Sequence, residues 1–197
     1  LAAFSRLISE ARALIPHACS CHLANSGGLF YVAGAQLDQV RPGIALYGYY
    51  PDGAAGRSAS TEPRLQPAMQ WKAAILQVRH LPPGHTVGYD CTYTTTRPTT
   101  IAVLPVGYAD GYLRKLSSRG QMLVGGRRAQ VLGRISMNLS VVDVTDIPGV
   151  AAGDEAVLLG RQGKELIDAD ELASWMETIN YEALCLIGRL NSRTYTD

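Results

Sequence analysis

The spacing of apolar positions changes partway along the chain. In residues 1–15 Phe4, Leu7, Ile8, Ala11 and Leu14 recur at helical spacing, and Pro16 is expected to end that helix. Residues 18–24 then read as a short strand leading into Asn25-Ser26-Gly27-Gly28, where Asn or Ser starts a second helix and leaves backbone amides and a hydroxyl in one corner. Such a corner suits anions, phosphate in particular, although every capped helix has one. Residues 41–48 follow as a second strand, with a glycine that lets the backbone approach a ligand closely. Helix, strand, loop-helix, strand is an α/β order, and it fits the tail of a parallel barrel whose strand ends carry a site.

From residue 50 to residue 67 the composition shifts to Pro, Gly, Ser and Ala, as in a linker or a surface excursion. Beyond it the pattern changes class. Runs at residues 69–81, 99–106, 121–124, 128–132, 136–144 and 155–159 are rich in Val, Ile and Leu. Pro82-Pro83-Gly84, Gly125-Gly126 and Pro148-Gly149 separate them, as expected for an antiparallel β-domain. Residues 168–176 fit one short helix capped by Asp168 or Asp170.

Composition narrows the function classes. With 47% hydrophobic and 18% charged residues the chain should fold rather than stay disordered. A net charge of +1 gives no nucleic-acid surface and no polybasic membrane patch. No apolar run approaches the ~20 residues of a membrane helix, and Leu1 is followed by no signal peptide, so a soluble protein is expected. The four cysteines, at 19, 21, 91 and 185, include no C-x-x-C pair and fit reduced thiols of a cytosolic protein. Strand alternation would put Cys19 and Cys21 opposite His22, so no shared metal is expected, and both thiols are read as small buried hydrophobes.

The candidate chemistry lies in Thr86-Val87-Gly88-Tyr89-Asp90-Cys91 and Leu104-Pro105-Val106-Gly107-Tyr108-Ala109-Asp110-Gly111. Tyr89 and Tyr108 sit beside glycines at the ends of β-type runs, where a turn can present a phenol to a cleft. A phenol donates a proton or, once ionised, accepts one, but its reference pKa near ~10 calls for positive charge close by. The same positions also suit tyrosines that only fill β-turn corners.

Six segments resemble one family: His22-Leu23-Ala24-Asn25-Ser26, Arg41-Pro42-Gly43-Ile44-Ala45-Leu46-Tyr47-Gly48, Val87-Gly88-Tyr89, Val106-Gly107-Tyr108-Ala109-Asp110-Gly111, Gly133-Arg134-Ile135-Ser136-Met137 and Thr178-Ile179-Asn180-Tyr181-Glu182. In order and spacing they are similar to bacterial alanine racemase, a pyridoxal-phosphate enzyme. The resemblance implies a mainly β C-terminal domain (residues 68–197), preceded by a linker (51–67) and by the last α/β units of a truncated (β/α)8 barrel that binds pyridoxal phosphate (1–50). A whole barrel takes roughly 250 residues, so most of it would be absent. The family's cofactor lysine lies in an Ala-x-x-Lys-Ala-Asn-Ala-Tyr-Gly type sequence. Lys72, Lys115 and Lys164 lie in nothing similar, and Lys72 is read as part of a solvated strand face.

The resemblance also implies roles. Tyr89 would exchange a proton on one face of the substrate's α-carbon, with the missing lysine serving the other, at a cofactor held by the partner subunit of a homodimer. Arg41 would face the pyridine nitrogen, with His22 orienting it. Ser26, Gly43, Ile44 and Tyr181 would contact the phosphate, while Asn25 shapes the loop. Tyr108 would gate the entrance and Met137 would lie near the substrate carboxylate. Position 138 is Asn138, where many relatives have an acid, and Asp90 and Asp110 are read as turn stabilisers. The implied activity is interconversion of L- and D-alanine for peptidoglycan in the cytoplasm, with this chain inactive alone. The alternatives are a racemase of serine or another amino acid, which these residues also allow, and a non-catalytic β-domain that dimerises or binds.

Overall fold

A computed structural model describes residues 1–15, 17–53 and 64–196. Its contacts divide the chain between Ala68 and Met69. Pro16 and most of the Pro/Gly/Ser-rich stretch expected as a linker, residues 54–63, lie outside the described residues.

The first unit begins with α1 (Ala2–Leu14), none of whose residues is buried. Its apolar stripe has the helical spacing of the sequence, yet Leu14 remains 84% exposed. Arg12 pairs with Asp38 at 2.9 Å, and the same carboxylate oxygen accepts the Cys21 amide at 2.9 Å. Strand β1 (His22–Asn25), helix α2 (Ser26–Tyr31) and strand β2 (Gln39–Arg41) follow. The strands pair parallel, His22 opposite Gln39 and Asn25 opposite Arg41, so α2 and its following loop form the crossover that a parallel pair requires.

Both strands are shorter than expected. The expected 18–24 strand starts only at His22. The 41–48 run is not a strand: β2 ends at Arg41 and the chain turns into a 3-10 helix at Ile44–Tyr47. Pro42 has no amide to extend the ladder. The turn ends at Gly48 with φ 83°, where an added Cβ would lie 1.8 Å from the Gln66 carbonyl oxygen. The close approach at Gly48 is therefore by the chain's own backbone. Cys19 and Cys21 precede β1, are only half-buried and are free thiols, not core residues. Among the described residues no three His, Cys, Asp or Glu side chains converge as metal ligands would.

In the second unit every strand pair is antiparallel. The expected 69–81 strand is two strands, β3 (Trp71–Ala74) and β4 (Gln77–Leu81), broken at Ile75-Leu76 because they serve different sheets. A hairpin with two residues in each strand, β5 (Thr86–Val87) and β6 (Tyr93–Thr94), precedes β7 (Thr99–Leu104), which stops before Pro105. Then come β8 (Gln121–Val124), β9 (Arg127–Gln130), β10 (Ser140–Asp143), β11 (Glu155–Gln162) and β12 (Glu165–Ile167). Strands β4, β7 and β10 form one sheet with β7 central. Strands β12, β11, β8 and β9 form the other, with β3 also on β11.

Sequence explains the centre of this unit. Ala156-Val157-Leu158-Leu159 is an unbroken apolar run, and all four are fully buried in β11, as for a strand covered on both faces. Gly125 and Gly126, at φ 55° and 74°, turn β8 into β9. Lys72 pairs with Glu155 at 3.0 Å on the solvent side of β3 and β11.

Helix α3 (Ala169–Met176) is capped by the Asp168 carboxylate, which accepts the Glu171 amide at 2.9 Å. A second helix, α4 (Asn180–Leu190), was not expected. Arg128 ties β9 to β12 and α3: it donates to both Glu171 carboxylate oxygens (2.7 and 3.2 Å), to Glu165 (2.8 Å) and to the Leu166 carbonyl (2.8 Å).

Candidate active site

Candidate residues lie in both units, and in each the structure brings some of them together. In the first, Asn25 caps α2 by accepting the Gly28 amide at 2.9 Å. Ser26 is thereby turned inward and is 4% exposed. Its Oγ accepts the Gly43 amide at 2.9 Å and the Ala45 amide at 3.4 Å. A hydroxyl has two acceptor lone pairs and one proton, so with both lone pairs engaged the proton is what Ser26 has left to donate. The Gly43 amide, expected to meet an anion itself, is held by Ser26 instead. Among the described residues the Ile44 amide has no acceptor. A Cβ on Gly43 would meet nothing within 4 Å, so the corner is open above that residue.

Arg41, at the end of β2, is exposed and donates to the Leu23 carbonyl at 3.3 Å. His22 is exposed too, and among the described residues no hydrogen bond joins it to Arg41. In the parallel pair His22 lies opposite Gln39 and Arg41 opposite Asn25.

In the second unit Tyr89 opens a short 3-10 turn, Tyr89–Cys91, between β5 and β6, and is 66% exposed. Tyr112 shows the opposite outcome for a phenol. It is fully buried against Trp71, donates to the Gln121 carbonyl at 3.3 Å, and burial pushes its phenol above its ordinary value. Tyr112 is a core residue; Tyr89 is free to meet a solute.

Tyr108 and Met137 belong to one assembly. The Tyr108 and Ala109 amides donate to the Ser136 and Met137 carbonyls at 3.1 and 3.0 Å. Gly107 permits the approach, since a Cβ there would lie 2.2 Å from the Ser136 carbonyl oxygen. Both side chains remain exposed. Asp110 accepts the Gly107 amide at 2.9 Å and so stabilises this turn, as read from the sequence. Asp90 instead pairs with Arg134 at 3.1 Å, a contact between segments 44 residues apart that no local pattern announces. Tyr181 stands on the first turn of α4 and is partly exposed.

Comparison with known proteins agrees along the whole chain. Residues 68–195 match the family described as "Alanine racemase, C-terminal domain", and residues 1–51 match "Alanine racemase, N-terminal domain". The alanine racemase of Nitratidesulfovibrio vulgaris (strain DSM 19637 / Miyazaki F) is 47% identical over 195 residues, 99% of this chain and 51% of that protein. That of Desulfosudis oleivorans is 46% identical over 192 residues, 98% and 48% respectively. This chain thus spans about half the length of the curated relatives it matches.

Among solved structures, alanine racemase from Bacillus anthracis with bound L-Ala-P superposes with a TM-score of 0.83 at 32% identity, covering 93% of this chain and 46% of that one. The Bartonella henselae enzyme with covalently bound pyridoxal phosphate gives 0.82 at 35% identity, covering 99% and 50%. The chain belongs to the alanine racemase family, its residues 68–195 matching the C-terminal domain and its residues 1–51 the N-terminal domain.

Proposed function

We propose that this chain supplies part of a pyridoxal-phosphate-dependent alanine racemase, a cytoplasmic homodimer that makes D-alanine for peptidoglycan. The observation that carries the proposal is the exposed Tyr89 phenol, held on a glycine-framed turn instead of in the β-core. Residues 1–50 are the closing α/β portion of a barrel, in keeping with the parallel β1–β2 pair and the apolar side chains that α1 leaves uncovered.

The first unit fits the cofactor's phosphate. The Ser26 proton, the Ile44 amide and the open space at Gly43 offer two donors and no side-chain obstruction to a dianion. Arg41, permanently charged, is suited to the pyridine nitrogen and would keep it unprotonated. When bound, pyridoxal phosphate acidifies the substrate's α-hydrogen. Tyr89 gives or takes that proton on one face, at a site completed by a second subunit, and a lysine outside these 197 residues serves the other. Tyr181 adds a phenol to the phosphate contacts, Tyr108 stands at the entrance and Met137 lies near the substrate carboxylate.

The test supplies the rest of the barrel, with its lysine, as a second chain together with pyridoxal phosphate and L-alanine. Turnover should appear with both chains, be absent with this chain alone, and fall by about 10²-fold or more in Tyr89→Phe. No rescue by the second chain would favour a non-catalytic binding domain, and serine turned over in preference to alanine would revise the substrate.

A further inference from the structure

We propose that the Asp90–Arg134 ion pair is a latch that fixes the turn carrying Tyr89, which makes Arg134 a positioning residue for that phenol. The role in chemistry rests on the reading of Tyr89 given above; the latch itself does not. The turn is conformationally costly. Gly88 has φ 80° and ψ 176°, a region open to glycine almost alone, and Asp90 and Cys91 follow at φ 60° and 50°. No side chain caps the turn. Left to itself such a turn would relax toward ordinary backbone angles, and with it the direction of the phenol.

The restraint comes from the segment around residue 133. A Cβ on Gly88 would lie 2.8 Å from the Arg134 amide nitrogen, so the two backbones already touch at the foot of the turn. From there the Arg134 side chain reaches the far side of the turn, with Nε 3.1 Å from Asp90 Oδ2. Backbone contact below and ion pair above enclose residues 88–90. The Arg134 Nε makes no aligned hydrogen bond and the Asp90 side chain is 68% exposed, so charge holds the pair from its open side, and added salt must weaken it. Mere packing would be indifferent to salt.

Chymotrypsin cuts after tyrosine only where the chain can open locally, so cleavage of the purified 197-residue chain after Tyr89 reads the latch without any catalysis. Cleavage after Tyr195, which is 85% exposed, serves as the reference in the same digest. Arg134→Gln leaves the Tyr89–Asp90 bond unaltered as a target. In low salt it should raise the Tyr89-to-Tyr195 cleavage ratio roughly two- to fivefold, the range of a half-exposed ion pair. Sodium chloride near ~1 M should raise the ratio of the unmutated chain by a similar factor and leave that of Arg134→Gln unchanged. A ratio unaffected by the substitution, or a rise with salt that persists in Arg134→Gln, would overturn the latch. Loss of the catalytic role through an active Tyr89→Phe enzyme would leave these cleavage results standing.

Discussion

Gly88 and Gly133 lie back to back. A Cβ on Gly88 would come within 2.8 Å of the Arg134 nitrogen, and one on Gly133 within 2.5 Å of the Val87 oxygen. Both have positive φ, 80° and 66°. Two segments that are far apart in sequence thus meet where neither can carry a side chain, and the candidate phenol is borne on one of them.

Gly133→Ala should therefore cost more than a positive φ alone. Gly149 is the control: it has φ 74°, but a Cβ there meets nothing within 4 Å. Gly149→Ala is expected to lose about 1 kcal/mol from left-handed strain. Gly133→Ala adds the clash with Val87 and should lose about 2–4 kcal/mol. Urea unfolding of the two variants side by side measures the difference; equal losses would mean that the meeting of the two backbones is looser than described.

Ser26→Ala leaves the Gly43 amide without its 2.9 Å acceptor in a part-buried corner. Gly43 itself is exposed, so losing that hydrogen bond costs about 0.5–1.5 kcal/mol, roughly two- to tenfold in the opening equilibrium. Hydrogen exchange of the peptide containing residues 43–45 should accelerate accordingly, with little change in β11. Unaltered exchange there would show that another acceptor replaces the hydroxyl.

Glu177 gives the second unit an acid-sensitive joint. Hydrogen bonds from Lys115, then Arg119, hold its carboxyl down from the ordinary 4.5 to about 2. A folded value below the unfolded one means that the stabilisation is complete above about 4.5 and is lost as pH falls toward about 2. Glu177→Gln keeps the shape and removes the charge, so its urea midpoint should fall less steeply over that interval and converge with the unmutated chain at the acid end. Parallel curves for the two proteins would refute the assignment.

The sequence announced elements whose cause is local. The Val/Ile/Leu runs of β7, β8 and β11 and the glycine turns between them need only a short apolar run bounded by turn residues and a positive φ. The Asp168 cap is likewise a single side chain bonding three residues ahead. What escaped depended on partners elsewhere. The 69–81 run looked continuous, but Ile75 donates to the Asp154 carbonyl and Leu76 to that of Val103, so the chain changes sheets between them. Helix α4 follows Ile179, which supplies no side-chain cap, and so offered no start signal. Hairpin β5–β6 has two residues per strand, too few for any period to show.

The candidate site divided in the same way. The Asn25 cap on Gly28 is written locally, three residues ahead, whereas the bond from the Gly43 amide to Ser26 spans 17 residues and comes from the fold. The bond from Arg41 to the Leu23 carbonyl joins two strands, a tertiary contact that one sequence does not state. The Asp90–Arg134 contact is likewise a product of the tertiary fold.

The two hydrogen bonds that join residues 108–109 to residues 136–137 also limit how this surface can diverge. Inserting or deleting a residue in either loop would slip the register of both. New variants of the domain therefore have to arise by exchanging the side chains at Tyr108 and Met137 upon a frame of constant length.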